Sequence, residues 1–139
     1  MSEAPPPGYA LVDLGKGYSE RFGPVFLDRP GCRMAFRVGE QHLNPVDTCH
    51  GGALATFSDA MIVAVWPGCE SGAAHTPTIT LSVDYFVPAQ LGELVEAQIE
   101  LMNQTRTMLF VQSLITVAGR RIGRASAIYR RPPVSGEVQ

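Results

Sequence analysis

The chain has 139 residues, 45% of them hydrophobic and 17% charged, and its formal net charge at pH 7 is -2. This length favours a single domain that buries roughly two thirds of the surface of its unfolded form. The small net charge gives no electrostatic basis for binding nucleic acid, so we expect no nucleic-acid partner. The 3 cysteines lack the spacing of a disulfide framework or a metal site, which indicates a reducing, cytoplasmic environment and no bound metal.

Composition divides the chain into a folded body and two irregular ends. Residues 1–8 and 132–139 contain several prolines and glycines and no apolar periodicity. No basic stretch leads into an apolar run, and the apolar run at residues 60–67 is too short to span a bilayer. We therefore expect neither secretion nor membrane insertion. The predicted organisation is a largely irregular segment over 1–20, a single domain over 21–131 and a tail over 132–139.

Hydrophobic periodicity predicts one long helix among several strands. Residues 33–38 alternate between charged and apolar side chains at the strand period, and a short strand around 25–27 precedes them. From Gly51 to about Trp66, apolar residues recur at steps of three and four, which predicts a helix of about four turns. Four further strands follow, at residues 78–87, 94–102, 108–117 and 121–129. We expect an α+β fold in which a curved antiparallel sheet wraps around the helix.

The most informative side chain is an acid inside this apolar helix. Asp59 has Phe57, Met61 and Ile62 as neighbours, so much of its surroundings should be buried. A carboxylate in such surroundings costs several kcal/mol unless a partner compensates for the lost water. The alternative is an acid on the helix surface, or one satisfied by a local hydrogen bond.

The residues around Asp59 form a set with defined spacing. The set comprises Asn44-Pro45, His50-Gly51-Gly52 six residues later, Asp59 nine residues after the histidine, Tyr85-Phe86-Val87-Pro88-Ala89 and Leu91-Gly92-Glu93. It resembles the hot-dog fold thioesterase superfamily, in particular the PaaI-type acyl-CoA thioesterases of the phenylacetate pathway, and the similarity covers residues 21–130. One position departs from the family pattern, because Asp47 stands where a glycine is usual. Glycine reaches positive backbone dihedrals more readily than aspartate does, so the resemblance does not determine the shape of the loop around Asp47.

The resemblance implies hydrolysis of an acyl-CoA thioester to free acid and coenzyme A, without a metal or redox cofactor. It assigns the oxyanion contact to the Gly51 N–H, at the positive end of the helix dipole. It makes Asp59 the nucleophile or the general base, and both roles stay open. Thr78 corresponds to a hydroxyl that orients water, Asn44 to an amide that holds the thioester or the water, and His50 to a residue that braces the loop.

Helix geometry gives one expectation that does not depend on the resemblance. Asp59 follows Gly51 by eight residues, which places them roughly 12 Å apart along the helix axis. One thioester carbonyl cannot contact both, so the two groups should come from different chains. We therefore expect a homodimer or homotetramer with active sites shared between subunits. Arg106 and Arg121 are candidates to bind coenzyme A phosphates through bidentate contacts.

Two other functions use the same fold. One is a non-catalytic protein that binds or senses acyl-CoA, since a fold alone does not determine chemistry. The other is an enoyl-thioester hydratase or dehydratase that pairs His42 or His50 with Asp59 across a dimer. A nucleophile formed by Cys49 and His50 is disfavoured, because sequence neighbours seldom point towards each other. The identity of the acyl group is left open.

Overall fold

The computed structural model describes residues 3–70 and 74–133. Within them, the strands form one antiparallel sheet of seven strands in the order β1-β2-β3-β5-β6-β7-β4. The predicted α+β fold, an antiparallel sheet with a central helix, is confirmed. In chain order the elements are β1 (Ala10–Val12), α1 (Tyr18–Phe22), β2 (Val25–Asp28), β3 (Arg33–Arg37), a 3₁₀ turn (Glu40–His42), α2 (Gly51–Asp59), α3 (Ile62–Val65), β4 (Thr78–Tyr85), β5 (Leu94–Gln104), β6 (Met108–Val117) and β7 (Arg120–Arg130).

The core lies between the helices and one face of the sheet. Every second residue of β6 is buried, from Leu109 to Val117, as expected for a strand with one face covered. Leu54 and Phe57 of α2 are buried against this face, and the rings of Phe57 and Phe36 lie 4.7 Å apart between centroids. The apolar stripe of α2 thus packs the helix against the buried face of the sheet.

The prediction of one continuous helix over residues 51–66 is wrong, because α2 ends at Asp59 and α3 begins at Ile62. Between them the backbone bonds to the residue three positions back, as in the 3.0 Å bond from the Val63 N–H to the Ala60 carbonyl. The Asp59 carbonyl instead accepts a 2.7 Å bond from the Tyr129 hydroxyl of β7. A side chain that enters a helix in this way is a recognised cause of a break.

The N-terminal segment contains more structure than the sequence predicts. Within the segment over 1–20, predicted to be largely irregular, β1 pairs with β2 and α1 begins at Tyr18. The carboxylate of Glu3 lies 2.6 Å from the Arg37 guanidinium. Most of the predicted tail, residues 134–139, lies outside the described residues. In the described part of the chain, no helix is both long and apolar enough to cross a membrane.

Candidate active site

A β-bulge in the edge strand β4 places Thr78 on the helix side of the sheet. Thr78 pairs with Tyr129 and Thr80 pairs with Ile128, so Ile79 is an extra residue. Without it, the two-residue period of a strand would put Thr78 on the outer face together with Thr80. The bulge therefore turns the threonine hydroxyl towards the helix.

The acid at the end of α2 is held at two points. The Thr78 hydroxyl donates to Oδ1 of Asp59 at 2.7 Å, and the Tyr129 hydroxyl donates to the Asp59 carbonyl at 2.7 Å. Burial, followed by the nearby Asp59 charge, raises the pKa of Tyr129, so its hydroxyl stays protonated as a donor. Asp59 itself is half-buried, and its second oxygen has no hydrogen-bond partner among the residues that the structure describes. The Asp59 carboxylate therefore has one bonded oxygen and one unbonded oxygen in the described part of the chain.

His50 caps the opposite end of the helix. Its Nδ1 accepts a 2.7 Å bond from the Gly52 N–H, so the neutral ring carries its proton on Nε2. A Cβ at Gly52 would lie only 2.9 Å from Nδ1. The second glycine of the pair is therefore needed to let the histidine ring fold over the helix start. This geometry supports a bracing role for His50.

The Gly51 N–H has no hydrogen-bond partner among residues 3–70 and 74–133. It belongs to the first turn of α2, where backbone N–H groups have no partner within the helix and the helix dipole is positive. The Gly51 carbonyl accepts a 2.7 Å bond from the Tyr85 hydroxyl, and the Tyr85 ring lies 3.4 Å from where a Cβ would stand. Gly51 lines a cavity of about 280 Å³ together with Asn44, Leu54 and Phe86. The first residue of α2 therefore has an unbonded amide, among the described residues, and lines this cavity.

Asn44 closes the loop that leads into the helix. Its Oδ1 accepts from the N–H groups of Val46 at 3.1 Å and Thr48 at 3.0 Å, and its Nδ2 donates to the Thr48 hydroxyl at 2.8 Å. Asp47 adopts a φ of 63°, the left-handed conformation that glycine takes most easily. The loop therefore bends as a glycine would bend it, in spite of the substitution. One amide hydrogen of Asn44 remains for a ligand.

A single chain does not bring all the predicted residues together. Asn44, His50 and Gly51 lie at the start of α2, whereas Asp59 and Thr78 lie at its end, roughly 12 Å away. The cavity at the Gly51 end is not lined by Asp59. Each chain thus carries two separate groups of predicted site residues, one at each end of α2.

The two predicted phosphate ligands also lie far apart. Arg106 is exposed in the turn between β5 and β6, close to where Met108 pairs with Arg130, whereas Arg121 is exposed at the start of β7. The strand length between them corresponds to roughly 30 Å. Arg106 is at the end of the sheet that carries Asp59, and Arg121 is at the end that carries Gly51.

Two alternative reactive groups are held in inactive forms. Burial raises the pKa of the Cys49 thiol to about 11, so it is not a thiolate at neutral pH. His42 is buried, with Nδ1 accepting from the Gly39 N–H at 2.9 Å and Nε2 bonded to the Phe22 carbonyl at 2.6 Å. Burial lowers the pKa of His42. With both ring nitrogens bonded to the backbone, it has no atom free for a substrate.

Sequence reasoning missed the two tyrosines that hold the ends of α2. Tyr85 belongs to the quoted motif but had no assigned role, and Tyr129 was predicted only as a strand residue. For Tyr129 a signal was present, because a tyrosine at a buried strand position has a hydroxyl that needs a partner, whereas Tyr85 is exposed (54%) and gave no such signal. The sequence could not show that these partners are the carbonyls of Gly51 and Asp59.

Comparison with known proteins identifies the family. A family model described as the Thioesterase superfamily matches residues 47–124, more than half of the chain, so this chain belongs to the thioesterase superfamily. It is 31% identical over 85 residues to acyl-coenzyme A thioesterase 13 of Mus musculus, across 61% of this chain and 59% of that protein.

Solved structures confirm the predicted hot-dog fold. A hypothetical thioesterase protein from Streptococcus pneumoniae TIGR4, solved with coenzyme A, has a TM-score of 0.65 and 19% identity, covering 96% of this chain and 98% of that one. A variant of the phenylacetic acid degradation protein PaaI from Thermus thermophilus has a TM-score of 0.63 and 21% identity, covering 89% of this chain and 93% of that one. At these identities the likeness is one of fold.

Proposed function

We propose that this protein is an acyl-CoA thioesterase of the PaaI type, which hydrolyses an acyl-CoA to free acid and coenzyme A. The observation that carries the proposal is the pair of half-sites on one helix: an unpaired Gly51 N–H at its start and the Asp59 carboxylate bonded to Thr78 at its end, both within the described residues. The name of the mouse relative and the coenzyme A in the Streptococcus structure support this substrate class. Coenzyme A is then part of the substrate and a product, and no metal or redox cofactor takes part.

The active site is shared between two chains related by a two-fold axis. The edge strand β4 has a sheet neighbour on one side only within the described residues, and it carries the half-exposed Ile79 (48%) and Tyr85 (54%), followed by Phe86 (50%). Antiparallel pairing with a second β4 would cover these side chains and extend the sheet. It would also set the Gly51 end of one helix against Asp59 of the partner subunit. A homodimer is sufficient, and a homotetramer would contain two such pairs.

The chemistry follows from the charges that develop during hydrolysis. As the thioester carbonyl is attacked, its oxygen becomes negative, and the Gly51 N–H stabilises that charge by about 3 kcal/mol. Asp59 either attacks the carbonyl carbon, to form an anhydride that water then hydrolyses, or takes a proton from water that attacks directly. In both routes the coenzyme A thiolate leaves and takes up a proton. The Thr78 hydroxyl bonds to Oδ1, so the other oxygen of Asp59 is the one that attacks the carbonyl or takes the proton.

The test is release of free thiol across a panel of aryl, medium-chain and long-chain acyl-CoA substrates, with wild type and Asp59→Asn side by side. Asparagine keeps an acceptor for Thr78 but cannot act as base or nucleophile, so we expect kcat to fall at least about 100-fold. Asp13→Asn is the matched control, because Asp13 is an exposed acid in the loop after β1 whose Oδ1 accepts a 2.8 Å bond from the Gly15 N–H. It should retain full activity. Equal activity of wild type and Asp59→Asn would contradict the proposal.

Absence of thiol release with every substrate, but with acyl-CoA still bound, would instead indicate a binding or sensing protein. The hydratase alternative gains no support from the histidines, because His42 is fully bonded to the backbone and His50 caps the helix. Water addition to an enoyl-CoA is the assay that would detect it. The cytoplasmic location stays a prediction.

A further inference from the structure

A buried hydroxyl occupies the break between α2 and α3. Tyr129 is 0% exposed, and its hydroxyl donates to the Asp59 carbonyl at 2.7 Å. In a continuous helix this carbonyl would accept from the N–H of Val63, four positions later, but that N–H bonds to the Ala60 carbonyl instead. The phenol therefore replaces one helical hydrogen bond with its own.

This replacement sets the orientation of the Asp59 side chain. Between Asp59 and Val63 the chain winds at about three residues per turn rather than 3.6, a difference of roughly 20° per residue. If the break closed into a regular helix, Asp59 would rotate by roughly 60° relative to α3. A rotation of that size is large enough to break the 2.7 Å bond between its carboxylate and Thr78.

One pair of residues on neighbouring strands holds both the carboxylate and the backbone carbonyl of Asp59. Thr78 of β4 and Tyr129 of β7 lie directly opposite each other, and the first contacts the carboxylate while the second contacts the carbonyl. We propose that Tyr129 is a positioning residue that holds the helix open so that the carboxylate of Asp59 stays on Thr78. This inference rests on the proposed function, because it concerns how the carboxylate that acts in that reaction is oriented.

The competing explanation is that the helix break merely satisfies a buried phenol. In that case loss of the hydroxyl would lower stability but leave the turnover of the folded enzyme unchanged. The two explanations also predict different results when the substitutions of Tyr129 and Thr78 are combined. If Tyr129 acts through the contact between Asp59 and Thr78, then removing the hydroxyls of Tyr129 and Thr78 together should cost no more than removing the more damaging one alone.

The experiment measures kcat and KM for acyl-CoA hydrolysis by Tyr129→Phe, Thr78→Val and the double variant, well below their melting temperatures. We expect Tyr129→Phe to lower kcat by about tenfold to a hundredfold, with KM within about twofold of wild type. The double variant should be no slower than the slower single variant. Tyr9→Phe is the matched control, because it removes a partly buried hydroxyl bonded to Glu96, away from the helix. Its kcat should equal that of wild type.

An unchanged kcat in Tyr129→Phe, or multiplying losses in the double variant, would overturn the inference. If wild type hydrolyses no acyl-CoA, the proposed function fails, and a crystal structure of Tyr129→Phe decides the inference alone: a lost contact between Asp59 and Thr78 supports it and a retained contact overturns it. If Tyr129→Phe does not fold, a crystal structure of wild type decides. Bonds from Tyr129 to the Asp59 carbonyl and from Thr78 to its carboxylate would support the inference, whereas an Asp59 carboxylate on Thr78 without the Tyr129 bond would overturn it.

Discussion

At the scale of single residues, Gly51 contributes to the proposed site through its backbone rather than a side chain. Its N–H is unpaired in the part of the chain that the structure describes, and its carbonyl is fixed by Tyr85. Replacement by alanine keeps the N–H and therefore does not test the role. Proline is the substitution that removes this one donor.

Gly51→Pro should greatly lower kcat while the fold persists. Gly51 is the first residue of α2, where proline is favoured, and His50 has the extended backbone (φ -62°, ψ 136°) that precedes proline most easily. Loss of one oxyanion donor should lower kcat by about 100- to 1,000-fold. Gly51→Ala is the control, since its methyl group would lie 3.4 Å from the Tyr85 ring, an ordinary contact. Full activity of a folded Gly51→Pro enzyme would rule out the Gly51 amide as the donor.

At the scale of elements, the sheet fixes both functional ends of α2. Tyr85, the last residue of β4, bonds to the first carbonyl of the helix, and Tyr129 of β7 bonds to the last. The helix therefore cannot slide along its axis without breaking one of the two bonds. The donor at one end and the acid at the other keep a constant separation.

The cap of α2 gives a prediction about His50. His50→Ala removes the acceptor for the Gly52 N–H and should lower the free energy of unfolding by about 1 kcal/mol. His50→Asn supplies another cap oxygen and should recover most of that stability, with kcat close to wild type, because the role is bracing. Urea unfolding and thiol release measure the two quantities. A stable but inactive His50→Asn enzyme would show instead that the imidazole takes part in chemistry.

Periodicity predicted most elements, and it failed where residues distant in the sequence determine the local backbone conformation. The strand over 108–117 agrees with the structure because alternation and core burial coincide there. The break after Asp59 was missed because apolar spacing continues through it, while its cause lies 70 residues away at Tyr129. The bulge at Ile79 was missed for the same reason, since it exists only relative to the register of β7.

The residues of the candidate site were predicted more fully than the contacts that hold them in place. The pairing of Asp59 with Thr78 and the exposed amide of Gly51 agree in position with the motif, whereas their roles stay predictions. Asp47 shows why the loop could not be read from composition: aspartate reaches the left-handed conformation here because the bonds around Asn44 close the loop.

At the scale of the whole molecule, two-fold symmetry would unite groups that one chain separates. Arg106 and Arg121 lie at opposite ends of the sheet, roughly 30 Å apart. In an antiparallel pair of β4 strands, Arg121 of one chain lies at the same end as Arg106 of the partner subunit. Both would then flank the same shared site.

If these guanidinium groups bind coenzyme A phosphates, Arg121→Ala and Arg106→Ala should each raise KM for the full acyl-CoA by roughly fivefold, with kcat unchanged. A truncated thioester without the nucleotide should show no change in KM. Arg120→Ala, also exposed at the start of β7, is the control. Equal rises in KM for both substrates would show that these arginines do not contact the nucleotide.

The most direct test of the shared site is a purified heterodimer of Asp59→Asn and Gly51→Pro chains, separated by two affinity tags. One of its two sites would combine an intact Gly51 with an intact Asp59, so we expect half the activity of wild type, whereas each homodimer is inactive. Pairing wild type with the doubly substituted chain is the matched control and should give no activity, because each site then lacks one group. An inactive first heterodimer together with a half-active second one would contradict the account, because it would place the whole site within one chain.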